Sequence, residues 1–147
     1  MKITEALLAE HVVFHNLFDY VERATPKLKS LGEVRALAGL LDAMLEAHGQ
    51  IEDKLVMEPL DHCLDQLGQS QAIHAEHEHM DAVLGQVHTC RELKQAKQLL
   101  VNAVRFSRQH FDREERVIFP LAEKWLKTRT LQTLGTEWVA KRKQVLG

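Results

Sequence analysis

Apolar residues recur every three to four positions along most of this chain, and the recurrence predicts helices and no strands. A first helix is expected from about Thr4 to Ala24, with Thr4 as N-cap and Pro26 beyond its end. Its inward stripe would be Leu7, Leu8, His11, Phe14, His15, Phe18 and Val21. A second starts at Ser30, where Ser30 and Glu33 have capping-box spacing. It carries Leu37, Leu40, Leu41, Met44, Leu45, His48, Ile51, Glu52 and Leu55 on one face, and Pro59 ends or kinks it. Residues Asp61–Ser70 read as a connection with some helical character, closed by Gly68 and Ser70. A third helix, about Gln71 to His88, aligns Ile73, His77, Met80, Leu84 and Val87. A fourth, about Arg91 to Phe119, aligns Leu99, Leu100, Ala103, Phe106, His110, Glu114 and Val117. Pro120 interrupts it, with a kinked extension through Trp125. A shorter fifth, about Leu131 to Lys143, offers Leu134, Trp138 and Val145 for packing.

Four long helices with short connections predict an all-α, antiparallel, up-down-up-down four-helix bundle with a short C-terminal fifth helix. At 147 residues the chain is expected to form one domain, spanning 1–147. Hydrophobic content of 45% and charged content of 27% are ordinary for a soluble protein, and a net charge of −2 gives no reason to expect nucleic acid or membrane as partner. Lys141-Arg142-Lys143 reads as a solvated helix end. Cys63 and Cys90 have no metal or redox spacing, so free thiols are expected. No signal-peptide pattern opens the chain and no run is long and apolar enough for a membrane span, which points to the cytoplasm.

The stripes contain residues that do not belong in a hydrocarbon core. His11, His48, His77, His110, Glu52 and Glu114 all fall on inward faces, and buried carboxylates are costly unless paired or bound to a cation. Nine histidines are many for this length. Six have an acidic residue four positions later, against about 1.3 expected from composition: His15–Asp19, His48–Glu52, His74–Glu78, His77–Asp81, His88–Glu92 and His110–Glu114. Surface helices also enrich such pairs. Two of the six sit in a repeated string: His48-x-x-x-Glu52-Asp53-Lys54 leading to Pro59-Leu60, and His110-x-x-x-Glu114-Glu115-Arg116 leading to Pro120-Leu121. A four-residue step puts both side chains on one helix face. Two such helices facing each other bring imidazoles and carboxylates to one point, a donor set suited to a pair of redox metals, iron above all, and also to manganese or zinc. His15 shares a face with His11, as a supporting donor or alternative ligand. His77 stands among His74 and His79, and facing and apolar neighbours favour His77. His62, His74, His79 and His88 read as surface residues. Phe14, Phe18, Phe106 and Phe111 read as core, Met44 and Met80 as core fillers, and Trp125 and Trp138 as pins for the C-terminal segment.

Glu10-His11, His48-x-x-x-Glu52, Glu76-His77 and His110-Phe-Asp-Arg-Glu114-Glu115-Arg-Val-Ile-Phe-Pro120-Leu, in this order, make the chain resemble the hemerythrin-like (HHE cation-binding) domain family over about residues 1–145. The resemblance implies a non-haem di-iron centre. His11 and His48 would hold one iron, His77 and His110 the other, and Glu52 and Glu114 would bridge them together with an oxo or hydroxo group. It further implies a small ligand: dioxygen, nitric oxide or peroxide. The chain departs from oxygen-carrying hemerythrins at Ile73, where they have a second histidine one turn before the helix-three ligand. They also place the helix-four carboxylate five after its histidine, which is Glu115 here; a regular helix favours Glu114. These departures weigh against oxygen carriage. Three functions stay open: a dioxygen or nitric oxide binding module, an enzyme for peroxide decomposition or for iron handling and iron–sulfur repair, and a metal-free helical interaction scaffold. The expected partners are the small ligand, a second copy docked through the C-terminal helix, and, for a sensor, a separate output protein.

Overall fold

A computed structural model describes residues 1–146, with side chains described through residue 144. Val145, expected to pack, lies outside the described side chains. All elements among the described residues are helical: α1 (Ile3–Ala24), α2 (Leu31–Glu52), α3 (Glu58–Gln66), α4 (Ser70–Thr89), α5 (Leu93–Arg113), α6 (Phe119–Trp125) and α7 (Thr128–Leu146). One short 3-10 turn follows α1. Two wide π turns, Asp53–Met57 and Glu114–Ile118, join α2 to α3 and α5 to α6 into two long bent rods.

The helices run as the hydrophobic pattern predicts. One apolar cluster gathers Phe18 and Val21 of α1, Val34 and Ala38 of α2, Leu84 and Val87 of α4, and Ala96 and Leu100 of α5. A second gathers Ile3 and Leu7, then Leu55 and Val56, then Ile73, then Ile118 and Phe119. Each rod therefore passes from one cluster to the other, and successive rods do so in opposite senses. That is an antiparallel up-down-up-down bundle. His11, His48, Glu52, His110 and Glu114 are the polar residues buried between the two clusters. The apolar core is split by an ionisable layer.

The ends are set by local chemistry. Ser30 caps α2, its hydroxyl accepting from the Glu33 N–H at 3.2 Å. The helix before the third rod is longer than expected: Asp61–Gln66 belongs to α3 and only the last residues before Ser70 form the connection. It stops at Gly68, whose φ of 68° is left-handed. The Gln69 N–H reaches Leu64 O at 2.9 Å and the Gly68 N–H reaches Asp65 O at 3.1 Å, the paired closure of a Schellman turn. α1 begins one residue early. Lys2 holds the cap position, its N–H donating to Glu5 at 2.8 Å, while Thr4 is buried and donates its hydroxyl to Glu123.

Neither Pro59 nor Pro120 ends its helix. A proline has no N–H for the carbonyl four residues back, and its ring crowds that carbonyl. In both rods the residue before the proline bonds five back instead, Glu58 N–H to Asp53 O and Phe119 N–H to Glu114 O. The widened turn absorbs the clash and lets the helix continue. It also inserts a residue and rotates the face beyond it, so Ile118 is buried where Val117 was expected, and Val117 is 37% exposed. Leu8 and Leu40 are exposed as well, the seam of α2 running through Val34, Ala38 and Leu41.

α7 lies against α1, burying Leu131 and part of Leu134 and Trp138. Gly135 touches the N-terminal backbone, where a Cβ would collide with the Met1 carbonyl oxygen. Trp138 pins this helix as expected; Trp125 does not, being 57% exposed. Both cysteines are free, and no described helix is long and apolar enough to cross a membrane.

Gly68→Ala should cost about 1–2 kcal/mol, because the left-handed conformation is closed to alanine at no penalty. The urea midpoint of the variant checks this, and an unshifted midpoint would show that the turn is not held in that conformation.

Candidate metal centre

The six residues read from the sequence come together. Ligand atoms of His11, His48, Glu52 and Glu114 lie within 4.8 Å of one another, and so do those of Glu52, His77, His110 and Glu114. The two carboxylates are common to both groups, so the site is a pair of overlapping clusters, each with two imidazoles of its own. α1 and α2 supply one pair of histidines, α4 and α5 the other. His11, Glu52 and Glu114 are 0–1% exposed, while His77 is half-buried.

Imidazole orientation is the most telling feature. His11 Nε2 faces His48 Nε2 at 3.1 Å, and His77 Nε2 faces His110 Nε2 at 3.0 Å. Two lone pairs cannot face each other at this distance, so the chain by itself must keep a proton between them. Two nitrogens bound at right angles to one cation, each about 2.1 Å from it, also lie about 3 Å apart.

The outer nitrogens are supported by acids. His48 Nδ1 donates to Glu10 at 2.6 Å, His110 Nδ1 to Glu76 at 2.6 Å, and His11 Nδ1 to Glu115 at 3.0 Å. Asp53 stands 3.8 Å from His77 Nδ1. A carboxylate on one imidazole nitrogen fixes the ring and directs the other lone pair inward, the arrangement typical of metal-bound histidine. The pattern has an internal twofold logic. The acid before each α1 or α4 histidine supports the histidine of the next rod, and the acid after each central glutamate faces back to α1 or α4.

Glu52 and Glu114 have no such support. All four of their oxygens are buried without a hydrogen-bond partner, although His48 Nε2 lies 3.2 Å from Glu52 and His110 Nε2 lies 3.3 Å from Glu114. Unsatisfied buried carboxylate oxygens are rare because each carries its full desolvation penalty. A cation is what this donor set fits: neutral nitrogens on the outside, shared carboxylates in the middle, every lone pair aimed inward.

The electrostatics say the same. Burial, then the neighbouring Glu52 charge, pushes the Glu114 carboxyl well above the carboxylate range. Burial also acts to raise Glu52, but its contacts with Glu114 and His48 outweigh that and hold it low. Burial would lower His48, yet the Glu10 hydrogen bond and the adjacent Glu52 lift it to about 9. Burial and the His48 charge take His11 down to about 3. With no cation bound, the surroundings thus favour the charged form of His48 and the neutral form of Glu114.

Other residues sort as follows. Glu114 is the inner carboxylate, one regular turn after His110, whose carbonyl accepts the Glu114 N–H, and Glu115 is the supporting one. Ile73 is core, 2% exposed. His15 supports from outside, 3.6 Å from Glu115 and 3.3 Å from Arg108. His62, His74, His79 and His88 are exposed as expected. Phe111 stacks on His11 with centroids 3.9 Å apart. A cavity of about 240 Å3 opens between α2 and α4 onto His48, His77 and His110; Leu45, Met80, Leu84 and Phe111 wall it, and Glu46, Asp53 and Asp81 add acids. Sequence reasoning treated the Glu10 and Glu76 positions only as parts of motifs and missed their cross-rod roles. Their adjacency to His11 and His77 was the available signal. Arg142 was read as solvated and is instead bound to Glu10, at 2.7 Å from Nε and 2.9 Å from Nη2.

With this geometry in place, comparison with known proteins gives one family. The model of the hemerythrin HHE cation-binding domain matches residues 2–122, and the chain belongs to that family. No match was found among curated proteins or among solved structures.

Glu114→Met should raise the stability of the chelator-treated protein by about 1–3 kcal/mol, the penalty of an unsatisfied buried polar group. Urea unfolding measures it; equal or lower stability would mean that the polypeptide itself satisfies this carboxylate.

Proposed function

We propose that this chain is a non-haem di-iron protein whose centre binds or reacts with dioxygen, nitric oxide or peroxide. The observation that carries the reading is the pair of overlapping clusters with four unpartnered carboxylate oxygens at their junction. His11 and His48 would hold one iron, His77 and His110 the other, with Glu52 and Glu114 shared between them. Iron in such a set supplies one-electron redox change and an exchangeable coordination position.

The chain's own residues define the surroundings. Glu10, Glu76 and Glu115 hold imidazole rings in register and keep their Nε2 atoms unprotonated when a cation is present. Phe14 and Phe111 close the α1 side. The open side is the cavity over His77, whose apolar walls suit small uncharged molecules and whose acids disfavour anions. Supply of only two imidazoles per cation, with Ile73 where an oxygen carrier has histidine, favours sensing or reactive-species chemistry over oxygen carriage. A metal-free scaffold is disfavoured because it would bury a carboxylate pair whose four oxygens have no hydrogen-bond partner. We place the protein in the cytoplasm, in keeping with its free cysteines.

Stopped-flow mixing of the ferrous protein with nitric oxide, dioxygen or peroxide tests the reading; it predicts a saturable spectral change with at least one of them, and none with any would overturn it. His48→Ala and Glu114→Ala should each lower iron content and the melting temperature of the loaded protein together, since the binding energy of the metal is linked to folding. Wild-type iron content and melting in both variants would contradict the ligand assignment. Loading must displace the proton that Glu10 and Glu52 favour on His48, lifted to about 9, so affinity should rise with pH across the neutral range. Calorimetry in buffers of different protonation heat would show net proton release, and a pH-independent affinity without release would contradict the proton balance.

A further inference from the structure

The two ends of the site are alike in their ligands but not in what holds those ligands. At the α4–α5 end, Glu76 supports His110 and is itself held by Arg113, Nη1 to Oε1 at 2.6 Å. Arg113 lies on α5, less than one turn beyond His110, so this support belongs to the ligand's own rod. At the α1–α2 end, Glu10 supports His48 and is held entirely from α7. Trp138 Nε1 donates to Oε1 at 2.8 Å, and the Arg142 guanidinium grips both oxygens. The Arg142 guanidinium lies 6.0 Å over the Trp138 ring, so the two form one unit. α7 begins at Thr128, beyond residues 2–122, which the family model matches. Its docking on the bundle rests on buried Leu131, partly buried Leu134 and Trp138, and the Gly135 contact with the N-terminal backbone.

We propose that Trp138 and Arg142 are positioning residues for one cation only: by fixing the Glu10 carboxylate they orient His48, and so they make occupancy of the His11–His48 position depend on docking of the C-terminal helix. The His77–His110 position is indifferent to α7. The bundle thereby holds two cation positions with matching donors and unequal dependence on a peripheral helix, whose displacement would weaken one of them. An apolar cavity of about 270 Å3 between α1 and α2 reaches His48 and has Glu10 and Arg142 in its wall, so the same helix shields the outer side of that imidazole.

The inference rests on the two-cation reading, and the test separates the two. Metal-free protein is titrated with cobalt(II) under anaerobic conditions, with binding read by calorimetry and by the cobalt d–d spectrum. The unmodified chain should take up two ions. Arg142→Ala should weaken one binding step up to about 10-fold, short of the 10- to 100-fold usual for losing the acid that itself bonds a metal-bound histidine, and leave the other unchanged. Trp138→Phe, which keeps the ring and removes one donor, should weaken the same step less. Arg113→Ala should weaken the opposite step. In a His110→Ala background Arg142→Ala should keep its effect; in a His48→Ala background it should have none. Far-ultraviolet circular dichroism of each metal-free variant checks that the helices remain, and should Arg142→Ala lose helicity, Trp138→Phe decides. Equal weakening of both steps, or no weakening in a chain that binds two ions, overturns the inference. An unmodified chain that takes up no cobalt overturns the metal reading itself, and this inference with it.

Discussion

The organising constraint in this protein is a carboxylate pair, Glu52 and Glu114, buried at the middle of a helical bundle with no hydrogen-bond partner for any of its oxygens. Hydrocarbon lies on both sides of that layer, and four imidazoles surround it. A polypeptide cannot neutralise such a layer by itself except by holding protons where charge repulsion and burial demand them. The fold carries this strain in order to present a set of converging donors. The surrounding apolar clusters, one at each end of the bundle, provide the stability that lets the strain persist.

The rest of the architecture follows from presenting those donors. Each long rod must carry a histidine and a glutamate inward one turn apart, then place a second acid sideways against a neighbouring histidine. Beside that acid each rod widens, and the proline that follows is accommodated by the same turn. π turns are uncommon and gather at functional positions. Here two of them occur at equivalent places in two rods, which ties the backbone irregularity to the site rather than to chance.

The helices and the six central residues were legible in the sequence because both are local patterns. His48 and Glu52 interrupt an apolar stripe at helical spacing, and the string around them returns around His110. What was not legible depends on contacts between rods. Glu10 precedes His11 in the chain but supports His48, and Glu76 precedes His77 but supports His110. Arg142 sits in a basic run that reads as a solvated end, and only the packing of α7 on α1 brings it to Glu10. The wide turns escaped notice because Pro59 and Pro120 suggest breaks, whereas a single inserted residue lets the helix pass and turns Val117 outward. Family membership and the clusters support cation binding from independent directions, one from residue pattern and one from geometry.

The most direct test of this account is the metal content of freshly purified protein, measured by elemental analysis alongside its melting curve before and after chelation. The account predicts about two transition-metal ions per chain, predominantly iron, and a melting temperature that falls when they are removed. A chain that carries no metal, takes none up on reconstitution with ferrous iron, and melts at the same temperature throughout would contradict it.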